Sequence, residues 1–330
     1  MLRFALFGAG RIGRLHADTL SRHPAAQLAY VYDVHRPSAE QVAGLHGARV
    51  ATDVAEALAD PAVDAVLIAS STDTHVDLLE QAVKAGKAVL CEKPIDLDFA
   101  RVQACRQQLE GTDRPIQIGF NRRFDPGHLA LREALQAGEI GNLEQLIITS
   151  RDPGLPSLDY LRSSGGLFRD MLIHDFDMAR FILGEEPVKL CAYGSALVAP
   201  EVAEVGDIDS VMVILETASG RLCHINGSRR ACYGYDQRIE ALGSRGMLVS
   251  GNRHRTPLER YSDNSAAARE PLMNFFIDRY EEAYRAQVGA FVTAVEQGAA
   301  IQPSFEDGYQ AQRLAEAAIE SLRSGASVTL

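Results

Sequence analysis

The sequence predicts an α/β protein: an N-terminal doubly wound parallel sheet followed by a C-terminal α+β domain with an open, mainly antiparallel sheet. Three observations carry this. From Leu2 to about Phe120, short runs that are apolar throughout alternate with segments whose apolar residues recur at helical spacing. From Val188 to about Arg260, short strand-like runs are broken by turn signals such as ASG and GSRG. A length of 330 residues exceeds what one hydrophobic core usually serves, so two domains are expected.

In chain order, LRFALF, QLAYVY, DAVLIAS, KAVLCE and PIQIGF read as strands, too uniformly apolar for a half-exposed sheet and therefore parallel and covered on both faces. Between them, RLHADTLSRH, HRPSAEQVAGLHG, THVDLLEQAVKAG and DFARVQACRQQLEG each offer one apolar helical face, and repeats of this length imply right-handed crossovers. After about Asn121 come a helix, PGHLALREALQAG, a strand, LEQLIITSRD, a Gly/Ser-rich loop and the helical segment DMLIHDFDMARFILG. VKLCAYGSAL, DSVMVILET, GRLCHINGS, QRIEALG and RGMLVSG then read as meandering strands, and helices at 274–297 and 307–324 follow. The domain break is placed near 121, giving residues 1–121 and 122–330.

Apolar residues at 46% and charged residues at 23% are the balance of a soluble globular protein. A formal net charge of −11, with no run of five Lys/Arg residues, repels phosphate backbones and excludes nucleic acid as a partner. Five cysteines, an odd number without CxxC spacing, argue against a disulfide framework or zinc site and are read as reduced thiols of a cytoplasmic protein. Neither a signal peptide nor an apolar stretch of membrane-spanning length is read, so no membrane partner is expected.

GAGRIG, residues 8–13, stands between the first strand and the first helix. Gly8, Gly10 and Gly13 supply a tight turn, close backbone approach to a pyrophosphate and close helix packing, the dinucleotide-binding pattern of a Rossmann domain. The N–H groups at Arg11, Ile12 and Gly13 open a helix toward the anion. YVYD ends the second strand with Asp33, at the distance where an acid takes the ribose hydroxyls, with Val34 beside it. A carboxylate there favours NAD over NADP, while Arg36 keeps a 2′-phosphate, and so NADP, as the weaker alternative. A Gly-rich turn without ligand, and an Asp33 that only caps a helix, are the plain alternatives. Ser70, Ser71, Thr72 and His75 of ASSTDTH, and Glu92 and Lys93 of CEKP, follow strands and belong to the same ligand-binding edge.

The fingerprint, EKP, GFNRRF and D-x-x-x-H on a later helix together resemble the Gfo/Idh/MocA oxidoreductase family over essentially the whole chain. SRDP at 150–153, SGGLFRDMLIHDFDMARFILGEEP at 164–187 and YGYDQRIE at 233–240 are similar to its inositol 2-dehydrogenase branch. That resemblance implies NAD-dependent oxidation of one ring hydroxyl of myo- or scyllo-inositol to an inosose, by a tetramer using Lys93, Asp170 and His174.

The residue types suit that chemistry. Asp170 and His174, four apart, share one face of a regular helix, where a carboxylate orients an imidazole and favours its charged form. His174 then accepts the hydroxyl proton, and Lys93 stabilises developing alkoxide charge. A solvated surface lysine and a first-turn helix acid are the ordinary readings of Lys93 and Asp170. His174, Asp175 and Asp177 point in different directions on a helix, so no metal is expected. Asn121, Arg123, Asp152, Tyr235 and Tyr284 are candidates for binding a hydroxyl-rich ring, although Tyr284 also belongs to the apolar stripe Tyr280, Val288, Phe291 and Val295. Ser150, before the arginine of SRDP, departs from the resemblance, since some inositol dehydrogenases carry His there. An aldose or other sugar is the alternative substrate, and a silent NAD(H)-binding sensor the alternative class; the presence of Lys93, Asp170 and His174 argues against silence. An open sheet face needs a cover, which predicts a homo-oligomer.

Overall fold

The computed structural model describes residues 1–330. Six strands build the first sheet: β1 (Leu2–Phe7), β2 (Ala26–Tyr32), β3 (Arg49–Val50), β4 (Ala65–Ile68), β5 (Ala88–Cys91) and β6 (Ile116–Ile118). They run in the order β3-β2-β1-β4-β5-β6 and are parallel throughout. The winding reverses between β1 and β4, where open sheets of this kind bind ligands beyond the carboxyl ends of their strands. β3, absent from the sequence reading, is two residues long and has no periodicity to detect.

The crossover helices are α1 (Arg11–Arg22), α2 (Arg36–His46), α3 (Val54–Ala59), α4 (His75–Lys84) and α5 (Phe99–Gln108). Their ends follow local chemistry. Asp53 and Asp98 cap α3 and α5 by accepting from the N–H groups of Glu56 and Ala100, while Gly47 ends α2 at φ 67°, a conformation that costs glycine little.

The second sheet is formed by β7 (Leu143–Arg151), β8 (Pro187–Ser195), β9 (Ser210–Thr217), β10 (Leu222–Ser228), β11 (Asp236–Gly243), β12 (Gly246–Ser250) and β15 (Val328–Thr329). Its order is β12-β11-β7-β10-β9-β8-β15, antiparallel except between β7 and β10. A hairpin of β13 (Glu259–Ser262) and β14 (Ser265–Arg269) stands apart. The remaining helices are α6 (Pro126–Gln136), α7 (Leu158–Ser163), α8 (Ile173–Leu183), α9 (Glu201–Glu204), α10 (Phe276–Arg279), α11 (Glu281–Gln297) and α12 (Phe305–Ser324).

Period-2 alternation decides which side chains enter the core. Leu146, Ile148, Leu190, Val213, Leu215 and Ile225 share a buried cluster with Phe176, Ala179 and Ile182 of α8 and with Leu314, Ala315 and Ala318 of α12. The alternate residues Tyr193, Met212, Ile214, Leu222, Met247 and Val249 are exposed. No helix is long and apolar enough to cross a membrane.

Packing divides the chain into two units, Met1–Phe124 with Ala283–Gln312, and Asp125–Glu282 with Arg313–Leu330. A single break near 121 leaves out this return. Its cause is apolar burial: Val288, Phe291 and Val292 of α11 complete the cluster around Phe4, Leu6 and Leu20, and the Phe4 and Phe291 rings lie 5.8 Å apart.

Asp125 begins the second unit and caps α6 by accepting from the N–H groups of Gly127 and His128. Its carboxylate also pairs with Arg279, and both residues are about 1–2% exposed. Burial alone would raise the Asp125 pKa; the Arg279 hydrogen bond and charge, with His128, outweigh it and lower the pKa. Asp125→Asn leaves the Arg279 charge buried without its counter-ion and is expected to cost about 3–5 kcal/mol of stability, read by urea unfolding. The same pair contributes stability above the ordinary carboxylate range that is lost as pH falls through the lowered Asp125 value.

Candidate active site

The glycine loop is built by close contact. Gly8 has φ 101°, and a Cβ on it would lie 2.4 Å from the Ala69 carbonyl; one on Gly13 would lie 2.0 Å from the Gly8 oxygen. A Cβ on Gly10 would meet nothing within 4 Å, so the backbone there faces open space. Two positions thus make the turn and the third leaves room for an approaching group, at the N-terminus of α1, where the first-turn backbone N–H groups and the helix dipole favour an anion. These features fit the pyrophosphate of a dinucleotide.

Asp33 braces the loop. Its Oδ2 accepts from the Ala9 N–H at 2.6 Å and its Oδ1 from the His35 N–H at 2.7 Å. The residue before α2 is His35, so Asp33 is not that helix's cap. Val34 is 92% exposed beside it. Arg36 is turned to Glu40, one helical turn on, with its Nε donating at 2.8 Å.

The Ser70 and Thr74 hydroxyls hydrogen-bond at 2.7 Å, and the Ser71 carbonyl accepts from the N–H and hydroxyl of Thr74, closing the turn that contains Thr72. His75, expected at the cofactor, turns inward: it is 1% exposed, with Nδ1 2.8 Å from the Pro94 carbonyl and Nε2 3.2 Å from that of Ser70. Burial lowers its pKa against the two carbonyl contacts, so the ring is neutral near neutral pH, and the shorter contact marks Nδ1 as the donor.

Glu92 is buried and accepts at 2.7 Å from Nε2 of His16, a fully buried residue of α1 that the sequence reading did not single out. Lys93 follows, partly exposed, before a cis bond to Pro94. Asn121, 2% exposed just after β6, has an amide nitrogen without an acceptor. Arg123 is buried and donates to Asp307 at 2.9 Å and to Gln302 at 3.3 Å. Tyr284, 5% exposed, meets the His16 ring edge-on at 5.6 Å. It belongs to the first unit, not to the second half in which the sequence reading placed it.

In the second unit, the Asp152 N–H donates to Ser228 and its carbonyl accepts from Ala231, tying the end of β7 to the segment after β10. Asp170 lies in a π-helical turn, Phe168–Leu172, and His174 is the second residue of α8, so the two are not on one regular helix. Such turns are frequent at functional sites because they re-aim side chains. Two residues missed by the sequence reading hold the Asp170 carboxylate: the Tyr160 hydroxyl donates at 2.8 Å, and both terminal nitrogens of Arg229 donate at 3.2 Å. Arg229 is 1% exposed and also 4.0 Å from Asp207. Although Tyr160 as a residue is 47% exposed, burial at its hydroxyl end and then the Asp170 charge push the phenol pKa up.

Asp175 and Asp177 are fully buried while His174 is partly exposed, and no group of three or more His, Cys, Asp or Glu side chains gathers as a metal site. Tyr235, 6% exposed, meets Tyr280 edge-on at 6.0 Å. Ser150 is buried and donates to Gln237 on β11.

Residues 2–120 match the model of an oxidoreductase family with an NAD-binding Rossmann fold, and residues 128–249 match the GFO/IDH/MocA C-terminal domain. The chain is 50% identical to an inositol 2-dehydrogenase of Rhizobium meliloti over 97% of both chains. The structure of a myo-inositol dehydrogenase from Corynebacterium glutamicum has a TM-score of 0.97 and 43% identity, covering 100% of this chain and 99% of the other. A scyllo-inositol dehydrogenase from Lactobacillus casei, solved with bound NAD(H) and scyllo-inositol, has a TM-score of 0.93 and 26% identity, covering 100% and 99%. With a dinucleotide cradle at the carboxyl edge of a six-stranded parallel sheet and both family domains matched, the chain belongs to the Gfo/Idh/MocA oxidoreductases.

Proposed function

We propose that this protein is an NAD-dependent inositol 2-dehydrogenase, oxidising one ring hydroxyl of myo- or scyllo-inositol to the inosose. The observation that carries the reading is the 50% identity, over 97% of each chain, to an enzyme of that description. The first unit, Met1–Phe124 with Ala283–Gln312, binds the cofactor, and the second, Asp125–Glu282 with Arg313–Leu330, serves substrate binding and oligomerisation. NAD, when bound, supplies the acceptor for the hydride.

The chain's own residues supply the rest. Gly8, Gly10, Arg11, Ile12 and Gly13 hold the pyrophosphate, Asp33 and Val34 the adenosine, and Ser70, Ser71, Thr72 and Glu92 shape the same edge. Lys93 donates to the reacting oxygen and stabilises its negative charge. His174 accepts the hydroxyl proton, and Asp170 orients the substrate and the imidazole. Asn121, Asp152 and Tyr235 hydrogen-bond the remaining hydroxyls. Arg123 and Tyr284 contribute by holding that framework, which their buried partners favour.

Mixing the protein with NAD and either cyclitol, and following absorbance of reduced cofactor, tests the reaction. Turnover of an aldose but of no cyclitol replaces the substrate, and no turnover with either replaces the enzyme by a binding protein. The Asp33 carboxylate and the Arg36–Glu40 pair favour NAD over NADP. Asp33→Ser removes ribose acceptors and the charge facing a 2′-phosphate, so the NAD/NADP ratio of kcat/KM is expected to fall; an unchanged ratio removes Asp33 from the ribose site.

The exposed apolar residues Tyr193, Met212, Ile214, Leu222, Met247 and Val249 support a homo-oligomer, which family resemblance makes a tetramer. Five free cysteines support a cytoplasmic setting, and the reaction supports a role in inositol catabolism.

A further inference from the structure

Lys93 sits between two residues that are each gripped by a buried histidine. On one side, the Glu92 carboxylate accepts from His16 at 2.7 Å, with His16 fully buried and Glu92 7% exposed. A Cβ at Gly119 would lie 2.7 Å from the other Glu92 oxygen, so that carboxylate is wedged against the strand end after β6. On the other side, the Pro94 carbonyl accepts from His75, which is 1% exposed and also faces the Ser70 carbonyl. Burying a carboxylate, or a polar imidazole and carbonyl, is costly unless each is hydrogen-bonded, so neither grip is easily given up.

The two histidines come from the helices that follow the loops at 8–13 and 70–74: His16 lies one turn after Gly13 in α1, and His75 begins α4. We infer that His16 and His75 are positioning residues for Lys93, holding the turn that carries it from both sides and tying its aim to the two loops of the cofactor edge. Both histidines are sealed from solvent: His75 has both ring nitrogens facing carbonyls, and His16 is fully buried, with Nε2 on Glu92 and its ring edge-on to Tyr284. Their effect passes through the backbone and side chain on either side of Lys93. The inference rests on the reading of Lys93 as the group that stabilises the reacting oxygen.

His16→Phe keeps a ring against Tyr284 and removes the donor to Glu92, whereas His16→Gln keeps an N–H donor near the Nε2 position. Displacing a catalytic group by a fraction of an ångström to one ångström costs up to about 10²-fold. H16F is therefore expected to lower kcat about 10- to 100-fold with myo- or scyllo-inositol and NAD. The NADH dissociation constant, from fluorescence titration, is expected to stay within a few-fold of the parent, and H16Q to recover most of kcat.

The decisive measurement is the double variant with Lys93→Met. A residue acting only through Lys93 adds little to the loss K93M already causes, whereas an independent structural effect multiplies it. A parent-like kcat in H16F, or multiplicative losses in the double variant, overturns the inference. A parent-like kcat in K93M alone overturns the underlying reading of Lys93 instead. If H16F does not fold, His75→Leu against His75→Asn puts the same question from the Pro94 side. If no cyclitol is turned over, the rate of Lys93 acetylation, read by peptide mass spectrometry, is expected to rise several-fold in H16F and stay near the parent's in H16Q; equal rates overturn the inference.

Discussion

Replacing His174 with alanine is expected to lower kcat for cyclitol oxidation by about 10²- to 10⁴-fold, the usual contribution of a positioned general base. A secondary alcohol holds its proton too tightly to release it to water at neutral pH, so hydride departure requires an acceptor at the hydroxyl. Imidazole is the side chain whose ordinary titration lies near neutrality, and only its neutral form accepts a proton. With His174 as the base, parental kcat is expected to rise with pH on its acidic side, and that limb is expected to be lost in the alanine variant. Profiles of kcat against pH for both proteins make the comparison. If His174→Ala retains both the parental kcat and the acidic limb, the base is another residue. Asp170→Asn is expected to lose less: the carboxylate offers Oδ1 to Tyr160 and Oδ2 to Arg229, whereas the amide has a single acceptor oxygen, so it keeps one of the two contacts while withdrawing its charge from the site.

Lys93→Met keeps the length of the side chain and deletes its charge and donors. Turnover is expected to fall by about 10²- to 10³-fold, the cost of losing one donor that stabilises an oxyanion. The contacts that shape the nucleotide cradle lie at Gly8, Gly13 and Asp33, so NADH affinity is expected to persist. Turnover within a few-fold of the parent removes Lys93 from the reaction. Lost NADH affinity with parental turnover at saturation moves it to the cofactor.

The parallel sheet was legible because its strands are apolar on both faces, and the glycine loop because a strand precedes it and a helix follows. β3 was not, since two residues carry no pattern. Nor was the return of residues 283–312: an amphipathic helix shows that it has a core-facing side but not which core it faces. Asp170 and His174 were visible as a four-residue spacing, and the π-helical turn between them was not, because hydrogen-bond register is not written in residue spacing. Arg229 reads as one arginine of an RR pair; its role appears only when its burial and its contact with Asp170, 59 positions away, are seen. His16 lies in full view after the glycines, yet its partner Glu92 is 76 positions distant.

The place of α11 bears on how the protein is made. As the chain leaves the ribosome, β1 through β6 emerge first, but Val288, Phe291 and Val292, which cover Phe4 and Leu6, emerge only after Asp125–Glu282 has been synthesised. The nucleotide-binding unit starts first and waits for its last wall, with apolar surface exposed in the interval. Closing it joins segments far apart in the chain, a slow class of event compared with local helix or hairpin formation. The second unit also closes late, with Arg313–Leu330. Both halves thus reach their final packing near the end of translation, and a nascent chain halted at Glu282 holds two unfinished cores.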